Sequence, residues 1–396
     1  MHTSRRSFLV AGLQVGVSLP VLSALGWPGA RGPRPADGAR ALVVVQLTGG
    51  NDGLATLVPH RQDAYYRLRP TLAPKPGALV ALDDDHGLHP ALAPLREVHE
   101  AGRLAAVHGV GVPHPDRSHF RSMEIWHTAD PDHPPGPTGW MGRLADRLGE
   151  RDPEALIALH VGSGELPLAL RARSTFAPSV VDPEGFRLAP SMDPLAAERE
   201  ALLDAGRASG ELAWLRRAAG ASYAAAGRMQ ALGDGGDGDY PDSELAAKLR
   251  LVARLLAGGF GARLFHVELG GFDTHARQAP LHAALLGQLG GALAAFDRDL
   301  AARGLSDNVT TLVFSEFGRR AEENGSKGTD HGAAAPVLLL GGSIRPGLHG
   351  TPPDLERLVD GDVPATTDLR GVIGALEHDW LGQPPTDPCE RPVLFA

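Results

Sequence analysis

Apolar runs that end in glycine-rich polar loops constrain the fold of this chain more than any other feature of its sequence. Ala41–Leu47 (ALVVVQL) is rich in β-branched residues and does not alternate apolar with polar positions, which is typical of a parallel strand buried on both faces. The loop Thr48–Gly53 (TGGNDG) follows it directly. Arg263–Leu269 and Val309–Ser315 have the same character, and each also runs into a polar loop. The pattern predicts a buried, mostly parallel sheet.

Segments with helical spacing alternate with these strands along the chain. We predict further strands at Leu104–Val110, Ala155–Val161 and Pro336–Leu340, and helices at Leu92–Ala101, Ser118–His127, 194–229, 243–257, 280–303 and Asp368–Leu381. Such alternation indicates an α/β fold, a doubly wound sheet flanked by helices. No composition break divides the chain, so we expect one domain over 39–396 with a helical insertion at about 190–258.

The first 38 residues have the features of an export leader. Ser4–Leu9 (SRRSFL) places two adjacent arginines before a mild apolar run, Val10–Gly26, that is too short and interrupted to span a bilayer stably. Paired arginines before such a run resemble a twin-arginine signal, with cleavage expected near Ala30. A basic N-terminal helix or membrane anchor is the alternative. No later stretch approaches the roughly 20 apolar residues of a membrane helix, so we expect a soluble periplasmic or extracellular protein that meets the twin-arginine translocation machinery during export.

Composition narrows the possible ligands. The chain has 396 residues with 38 Lys+Arg against 47 Asp+Glu, a formal net charge of −9, which argues against nucleic acid as a partner. Its one cysteine, Cys389, excludes an intrachain disulfide framework and a cysteine-based metal site. Seventeen histidines remain. A transition-metal site would therefore have to use His, Asp and Glu.

Residues able to bind metal collect at the ends of the predicted strands. In open α/β sheets, ligands bind outside the carboxyl ends of the strands, and carboxylates and imidazoles on several strand ends can converge on one or two divalent metals such as Zn, Mn, Ca or Mg. The main candidates are Asp52, Asp273, His275, Glu316 and His331. Second-tier candidates are Asn51, His119, Asp330 and His349.

Each candidate also has a purely structural interpretation. Asp52 suits a turn or helix cap, and Asp273 suits an N-cap of the following helix. Glu316 lies at the end of an apolar strand, where an unpaired carboxylate is costly, so an ion pair with Arg319 or Arg320 would explain it equally well. A shared polar site explains all of these strand ends at once, and we favour it.

A second group of residues lies at the start of the predicted helix Ser118–His127. Ser118 is well placed as a nucleophile, because the unpaired N–H groups and the dipole of a helix N-terminus stabilise anions. Arg117 and Arg121 could clamp an anionic substrate. A plain N-cap is the alternative for Ser118. No G-x-S-x-G elbow surrounds a serine, and TGGNDG is neither G-x-G-x-x-G nor a Walker A sequence, so a serine-hydrolase triad and nucleotide binding have little support.

Six motifs occur in a specific order along the chain: SRRSFL, VVVQLTGGNDGLATLVP, HPDRSHFRSMEIW, GGFDTHARQ, TLVFSEFGRR and NGSKGTDHGAAAPVLLLGG. Together they resemble a twin-arginine-exported bacterial family catalogued as domain of unknown function fifteen-oh-one, over about residues 40–385. That family is in turn similar to the alkaline phosphatase/sulfatase superfamily, which hydrolyses phosphate or sulfate esters at a one- or two-metal site on a doubly wound sheet.

The resemblance assigns roles to matching positions. Asp273 and His275, although closer in sequence than the phosphatase pair, stand for ligands of the first metal, and His331 for the histidine that completes it. Asp52 matches an aspartate that binds the second metal. Ser118 takes the place of the nucleophile.

Two departures from the superfamily pattern are visible. Glu316-Phe317 stands where phosphatases carry an Asp-His pair, which puts a complete second metal site in doubt. The C-x-P-x-R motif of sulfatases is absent and Cys389 is misplaced for it, so classical sulfatase chemistry is disfavoured.

The resulting hypothesis is an exported metal-dependent hydrolase of phosphate or similar esters, with an anionic small-molecule or polysaccharide ester as substrate. The competing hypothesis is a non-catalytic binding or assembly protein with a degenerate site, motivated by Phe317 and the short Asp273–His275 spacing. A third is a carbohydrate-directed esterase or sulfohydrolase acting on envelope polysaccharide.

Overall fold

A computed structural model of the protein describes residues 39–150, 155–163, 165–180 and 238–396. The predicted leader at 1–38, the predicted helix at 194–229 and most of the predicted insertion lie outside the described residues. Within them the strands are β1 (Ala41–Thr48), β2 (Leu57–Val58), β3 (Val80–Ala81), β4 (Gly87–Leu88), β5 (Leu104–Gly111), β6 (Ala158–Val161), β7 (Ser179–Val180), β8 (Leu264–Gly270), β9 (Val309–Ser315), β10 (Ala335–Leu340), β11 (Gly347–His349) and β12 (Thr367–Asp368). The α-helices are α1 (Gly53–Thr56), α2 (Asp63–Leu68), α3 (Arg96–Glu100), α4 (His119–Thr128), α5 (Trp140–Gly149), α6 (Glu244–Ala257), α7 (Gln278–Ala302) and α8 (Leu369–Gly374).

The main sheet has the order β11-β5-β10-β9-β1-β8-β6-β7, with β12 beside β5. β1 pairs in parallel with both β8 and β9, and β8 pairs in parallel with β6. β10 is antiparallel to its neighbours β5 and β9. The carboxyl ends of β1, β5, β6, β8 and β9 therefore share one edge of the sheet, and β10 begins at that same edge.

Helices cover both faces of this sheet, as its strand pattern requires. Along β1, Val43 and Val45 belong to one core, together with Leu289 of α7. Leu42 belongs to the other core, together with Ile125 of α4. Because successive side chains of a strand point to opposite faces, a run without polar alternation buries both. The predicted class, a mostly parallel sheet between helices, is confirmed.

Several predicted elements match closely and others differ for local reasons. β9 has the expected bounds, Val309–Ser315. The helix predicted at Leu92–Ala101 begins as a 3₁₀ segment that contains Pro94 and becomes α-helical at Arg96, because proline lacks the N–H that an α-helix needs. Helix α5 and the small antiparallel sheet β2-β4-β3 were not predicted. Strands of two residues are too short to show a periodic pattern.

Helix α7 corrects one expectation about membranes. Its 25 residues, Gln278–Ala302, are long and apolar enough for a span by length and composition alone, although no such stretch was expected. More than half of its most apolar window is buried inside the protein, and its leucines belong to the core of one sheet face. This is the character of a core helix.

Candidate functional site

Three imidazoles converge on one carboxylate at the carboxyl edge of the main sheet. Asp273 and His275 follow β8, His331 precedes β10, and His119 begins α4. Asp273 Oδ1 lies 2.9 Å from Nε2 of His275 and 3.3 Å from Nε2 of His331. It lies 3.6 Å from Nε2 of His119. The Nε2 atoms of His275 and His331 are 2.9 Å apart. We call these four residues the histidine cluster.

A buried carboxylate orients His119. Glu316, at the end of β9, places Oε1 2.9 Å from Nδ1 of His119, and its side chain has no exposed surface. The same carboxylate accepts hydrogen bonds from the backbone N–H of Gly49 at 2.8 Å and from the Ser315 hydroxyl at 3.0 Å. The burial of Glu316 is thus balanced by these donors, rather than by the arginine pairing considered above.

The other two imidazoles are oriented in the same way. Nδ1 of His275 lies 3.2 Å from Oδ1 of Asp330. Nδ1 of His331 lies 2.8 Å from the backbone carbonyl oxygen of Arg117. Carboxylate and carbonyl oxygens only accept hydrogen bonds, so in the neutral rings the proton is on Nδ1 and the lone pair on Nε2. This arrangement is typical of metal-binding histidines, whose second nitrogen is usually held by a carboxylate or a carbonyl.

The ligand atoms of the cluster are placed so that they could hold a cation between them. Nε2 of His119 is buried without a hydrogen-bond partner among the described residues. The ligand atoms of His119, Asp273 and His331 all lie within 4.8 Å of one another. A tetrahedral zinc site with bonds of 2.0–2.1 Å has ligand–ligand distances of about 3.3–3.4 Å. The contacts of 2.9–3.6 Å from the three imidazoles to Asp273, and of 2.9 Å between His275 and His331, bracket that value.

Arg319 holds together the loops that carry the cluster. Its guanidinium is completely buried and donates to Asp273 Oδ1 at 2.8 Å. It also donates to backbone carbonyl oxygens of three loops, those of Gly49 and Gly50 after β1, of Phe272 after β8 and of Thr329 before β10. A planar guanidinium with five donors suits this task, which a lysine could not fulfil.

Phe317 packs against the imidazoles. Its ring centroid lies 4.9 Å from that of His119 and 4.7 Å from that of His331. The same ring closes over Gly50, whose φ of +73° and lack of a Cβ permit the contact. Phenylalanine at this position therefore fixes the orientation of two imidazoles instead of adding a further ligand.

Solvent reaches the cluster from one side. The side chains of Asp273 and His275 are 49% and 43% exposed. Partial burial alone would raise the pKa of Asp273, but hydrogen bonds from Arg319 and His331 outweigh it and lower the pKa to about 2. Asp273 is thus an anion over the physiological range, and a small molecule can approach it.

The contacts of Asp52 are with groups outside the histidine cluster. Its completely buried carboxylate is 2.6 Å from the equally buried guanidinium of Arg69 and also accepts from Gln278. Its other oxygen caps α1 through the N–H of Ala55 at 3.1 Å. Burial raises the pKa of Asp52, but the Arg69 charge and the hydrogen bonds outweigh it, so the pKa is lowered. Asn51 bonds to Thr56 and His282. Both predicted ligands are held by protein groups.

Ser118 occupies the N-cap position of α4, yet its hydroxyl does not cap the helix. Its backbone N–H donates to Oδ1 of Asp116 at 2.7 Å. The side chain of Arg117 is bound to Asp362 at 2.6 Å, and Arg121 donates to the carbonyl oxygens of residues 131 and 133 at 3.0 Å. The anion clamp formed by the two arginines stays a prediction.

Two of the remaining second-tier candidates lie at the histidine cluster, and the third has other contacts. His119 is part of the cluster, and Asp330 orients His275. His349 lies on β11, and its Nε2 contacts the carbonyl oxygen of Arg345 at 2.8 Å. The structure therefore brings together His119, Asp273, His275, Glu316, Asp330 and His331.

Arg319 has no predicted role in the site beyond an ion pair with Glu316. Its position one glycine beyond the strand end Ser315-Glu316-Phe317, at the edge where the site was expected, was the available signal. The buried pair Asp52–Arg69 had no signal, because seventeen residues separate its members.

Three solved structures show what the chain is similar to. The C-terminal periplasmic domain of EcEptC from Escherichia coli is 11% identical, with 89% of each chain covered and a TM-score of 0.39. A protein in the alkaline phosphatase superfamily from Vibrio parahaemolyticus is 11% identical, with 89% of this chain and 71% of that chain covered and a TM-score of 0.36. The lipoteichoic acid synthase LtaP from Listeria monocytogenes is 9% identical, with 91% and 76% covered and a TM-score of 0.34. At such values, function has to be inferred from the site itself.

Sequence comparison is more specific. A search of the curated proteins found no match to the chain. Residues 189–371 match the family described as "Protein of unknown function (DUF1501)". That segment includes Asp273, His275, Glu316 and His331. Over residues 189–371 the chain thus matches the model of the family that its ordered motifs resemble.

Proposed function

We propose that the protein binds one divalent metal in the histidine cluster and hydrolyses phosphate or similar esters there. The observation that supports this most strongly is the orientation of the three imidazoles. Each has Nδ1 held by an acceptor and Nε2 directed towards Asp273 Oδ1.

The donor set favours zinc among the metals expected. Three imidazoles and one carboxylate match the nitrogen-rich ligands that Zn²⁺ prefers, whereas Ca²⁺ and Mg²⁺ prefer oxygen ligands. The carboxylates of Asp273, Glu316 and Asp330 surround the imidazoles, with Arg319 as the one guanidinium bonded to Asp273 among the described residues. The excess of negative charge suits a divalent cation.

The protein groups around the cluster suit ester hydrolysis. A divalent cation would supply Lewis-acid polarisation of an ester oxygen. The Ser118 hydroxyl, one residue before His119 and not used as a helix cap, is the proposed nucleophile. The Arg117 guanidinium, 44% exposed, would meet the negative charge of the transferring group. Asp273 and Arg319 keep the loop after β8 in place.

A second metal at Asp52 has no support from the contacts of that residue. The Arg69 guanidinium already neutralises the buried carboxylate at 2.6 Å. We therefore propose a single metal for the ester chemistry, and this also agrees with Phe317 in place of an imidazole.

The alternative, an exported binding or assembly protein, is favoured by the number of protein ligands. Structural zinc sites have four protein ligands, whereas catalytic sites usually have three and an open position. The cluster offers four: His119, Asp273, His275 and His331. Turnover by the metal-loaded protein decides between the two functions.

The test combines metal analysis with a substrate panel. Purified protein is analysed for metal and assayed with aryl phosphate, phosphodiester and sulfate esters, beside His331→Gln and the control His349→Gln, which alters an imidazole away from the cluster. We expect His331→Gln to lose one metal equivalent and all turnover, and the control to lose neither. Metal-loaded wild type without turnover on any ester would exclude the hydrolase in favour of the binding protein. An unchanged metal content in His331→Gln would exclude the site.

Export through the twin-arginine pathway is proposed from the leader at 1–38. Replacing Arg5 and Arg6 by lysine should keep the protein in the cytoplasm, as measured by fractionation of producing cells. The substrate would then be an anionic ester of the cell envelope or medium. Export of the double-lysine variant at the wild-type level would contradict the assignment of the leader.

A further inference from the structure

We propose a second metal site, formed by His160 of β6 and by His266 and Glu268 of β8, that holds a zinc ion independently of the histidine cluster. Nothing in the ester chemistry proposed above uses these residues. One ligand atom from each lies within 4.8 Å of the other two.

The sheet register brings the three side chains together. His160 and His266 are direct neighbours in the parallel pairing of β6 and β8. Glu268 lies two residues after His266, so both point to the same face of the sheet. Helix α4 covers that face, and the rings of its His127 and of His266 lie 6.1 Å apart.

Two ring nitrogens in this group are buried without hydrogen-bond partners among the described residues. They are Nε2 of His160 and Nδ1 of His266. The opposite nitrogens are held: Nδ1 of His160 lies 2.9 Å from the Ser179 hydroxyl, and Nε2 of His266 lies 3.2 Å from Oε1 of Gln46. With its Nε2 proton directed at the Gln46 oxygen, His266 has its lone pair on Nδ1. Leaving such groups buried and unpaired is costly.

A carboxylate lies beside the two unpaired nitrogens. Oε1 of Glu268 is 4.0 Å from Nδ1 of His266, too far for a hydrogen bond and close enough for both to bind one ion after a small rotation. The Glu268 side chain is 34% exposed, which gives an ion a path from solvent. The nearby Lys248 ammonium donates to the backbone carbonyl oxygen of Glu268 at 2.9 Å, and the Glu244 carboxylate at 2.6 Å offsets part of its charge.

Gly162 keeps the space in front of His160 open. A Cβ at this position would lie 2.7 Å from Nε2 of His160. Any other residue would thus fill the volume that an ion on this nitrogen needs. The glycine and the unpaired nitrogen are independent observations that point to the same ligand position.

The donor set defines the metal class. Two imidazoles and one carboxylate are a common zinc set that leaves one position for a water molecule. The ion would join β6 to β8. It would raise the free energy of unfolding by an amount that grows with the logarithm of the zinc concentration over the dissociation constant. The two sites have no ligand in common, because one group consists of His119, Asp273 and His331 and the other of His160, His266 and Glu268.

The test counts zinc equivalents in the purified protein after removal of metal by chelator and dialysis. Calorimetric titration with Zn²⁺ gives the stoichiometry, and Co²⁺ absorption spectra report tetrahedral nitrogen ligation. Two equivalents are expected for wild type, and one each for Gly162→Ala, which only blocks the space, and His266→Gln, which removes a ligand. Ser179→Ala should weaken this equivalent by about 10–100-fold, because it removes the group that orients His160.

The experiment distinguishes loss of zinc from the histidine cluster from loss of zinc from the second site. The His331→Gln variant should lose the zinc equivalent of the histidine cluster and retain that of the second site, which Gly162→Ala removes. The double variant His331→Gln/Gly162→Ala should bind no zinc. An equivalent that is lost only with Gly162→Ala supports the second site even if the histidine cluster binds no metal. A single wild-type equivalent that His331→Gln abolishes and Gly162→Ala leaves intact would overturn the proposal. Circular dichroism verifies that each variant is folded.

Discussion

Nδ1 of His119 lies 2.9 Å from Oε1 of Glu316, and the glutamate side chain is completely buried. This contact joins the end of β9 to the start of α4 and turns the unpaired Nε2 of His119 towards Asp273. A hydrogen-bond acceptor behind each imidazole is typical of a prepared metal site, and behind His119 that acceptor is buried.

Glu316→Gln should weaken zinc binding in the histidine cluster by about 10–100-fold, the usual cost of losing a residue that orients a ligand. The amide retains an oxygen for the Gly49 N–H, so the fold should persist. Competition with a chelator of known affinity measures the change.

Asp330→Asn is the matched control for Glu316→Gln. Asp330 holds Nδ1 of His275 at 3.2 Å, but its side chain is 56% exposed. Water can replace it, and the loss of affinity should be smaller than that of Glu316→Gln. Equal zinc affinities for wild type and Glu316→Gln would show that the buried carboxylate does not orient His119.

Arg69→Met should lower the free energy of unfolding by about 3–5 kcal/mol, because it leaves the buried Asp52 carboxylate without its charge partner. Asp52 contacts Arg69 and Gln278 and not the histidine cluster, so zinc stoichiometry should remain that of wild type. Urea unfolding and metal analysis are the two measurements.

The exposed pair Arg67–Glu356 offers a control for the Arg69 variant. Both side chains are more than half exposed, so Arg67→Met should cost less than about 1 kcal/mol. A loss of zinc in Asp52→Asn, with the protein still folded, would instead show that Asp52 is a ligand.

Arg319→Lys should lower the free energy of unfolding by more than about 2 kcal/mol and weaken zinc binding as well. A lysine has three donors and no planar fork, so some buried carbonyl oxygens of the three loops would lose their partners. Arg320→Lys is the control, since Arg320 is partly exposed and donates to the carbonyl oxygen of Asp360 at 2.9 Å. Equal unfolding midpoints for the two variants would contradict a special role of Arg319.

The sequence predicted the strand ends well because buried parallel strands have an unambiguous pattern. Val309–Ser315 matches its prediction residue for residue, and the structure places ligand atoms of Asp273, His275 and His331 2.9–3.3 Å apart. Residues that directly follow parallel strands lie at the same edge of the sheet, and their side chains therefore come close together.

Contacts between distant segments could not be predicted in the same way. His119 was ranked behind Asp52, yet the cluster contains the histidine, because the rotation of α4 against the sheet decides which side chain faces the edge. The local sequence does not indicate that Arg69 forms an ion pair with Asp52, or that Arg319 donates a hydrogen bond to the Gly49 carbonyl oxygen. Such pairings depend on packing.

Stability should fall as the pH decreases from about 6.5 towards 4, in part because of His282. Burial lowers the pKa of this imidazole from 6.5 to about 4; Asp52 opposes the shift, and His89, Arg69 and Arg319 add to it. Between the two values the unfolded chain binds a proton that the folded protein does not, so protonation favours unfolding. Above pH 6.5 this contribution is complete.

His282→Gln should reduce the slope of unfolding free energy against pH in that window, as measured by urea unfolding at a series of pH values. Glutamine can still donate to Asn51, which His282 contacts at 2.9 Å. The slope should decrease without vanishing, because burial also lowers the pKa of His108 and His127 to about 4. A slope identical to that of wild type would show that His282 is not neutral in the folded protein.

Ser118→Ala tests the nucleophile and is matched by Ser122→Ala on the same helix. The Ser118 hydroxyl is not a helix cap, so its removal should leave stability and zinc content unchanged while turnover falls by about 1,000-fold or more. The Ser122 hydroxyl donates to the Asp116 carbonyl oxygen at 2.5 Å. Ser122→Ala should therefore cost about 1 kcal/mol of stability and retain most of the turnover. If Ser118→Ala retains full turnover, the attack must come from water, and the helix N-terminus serves only to present His119 to the cluster.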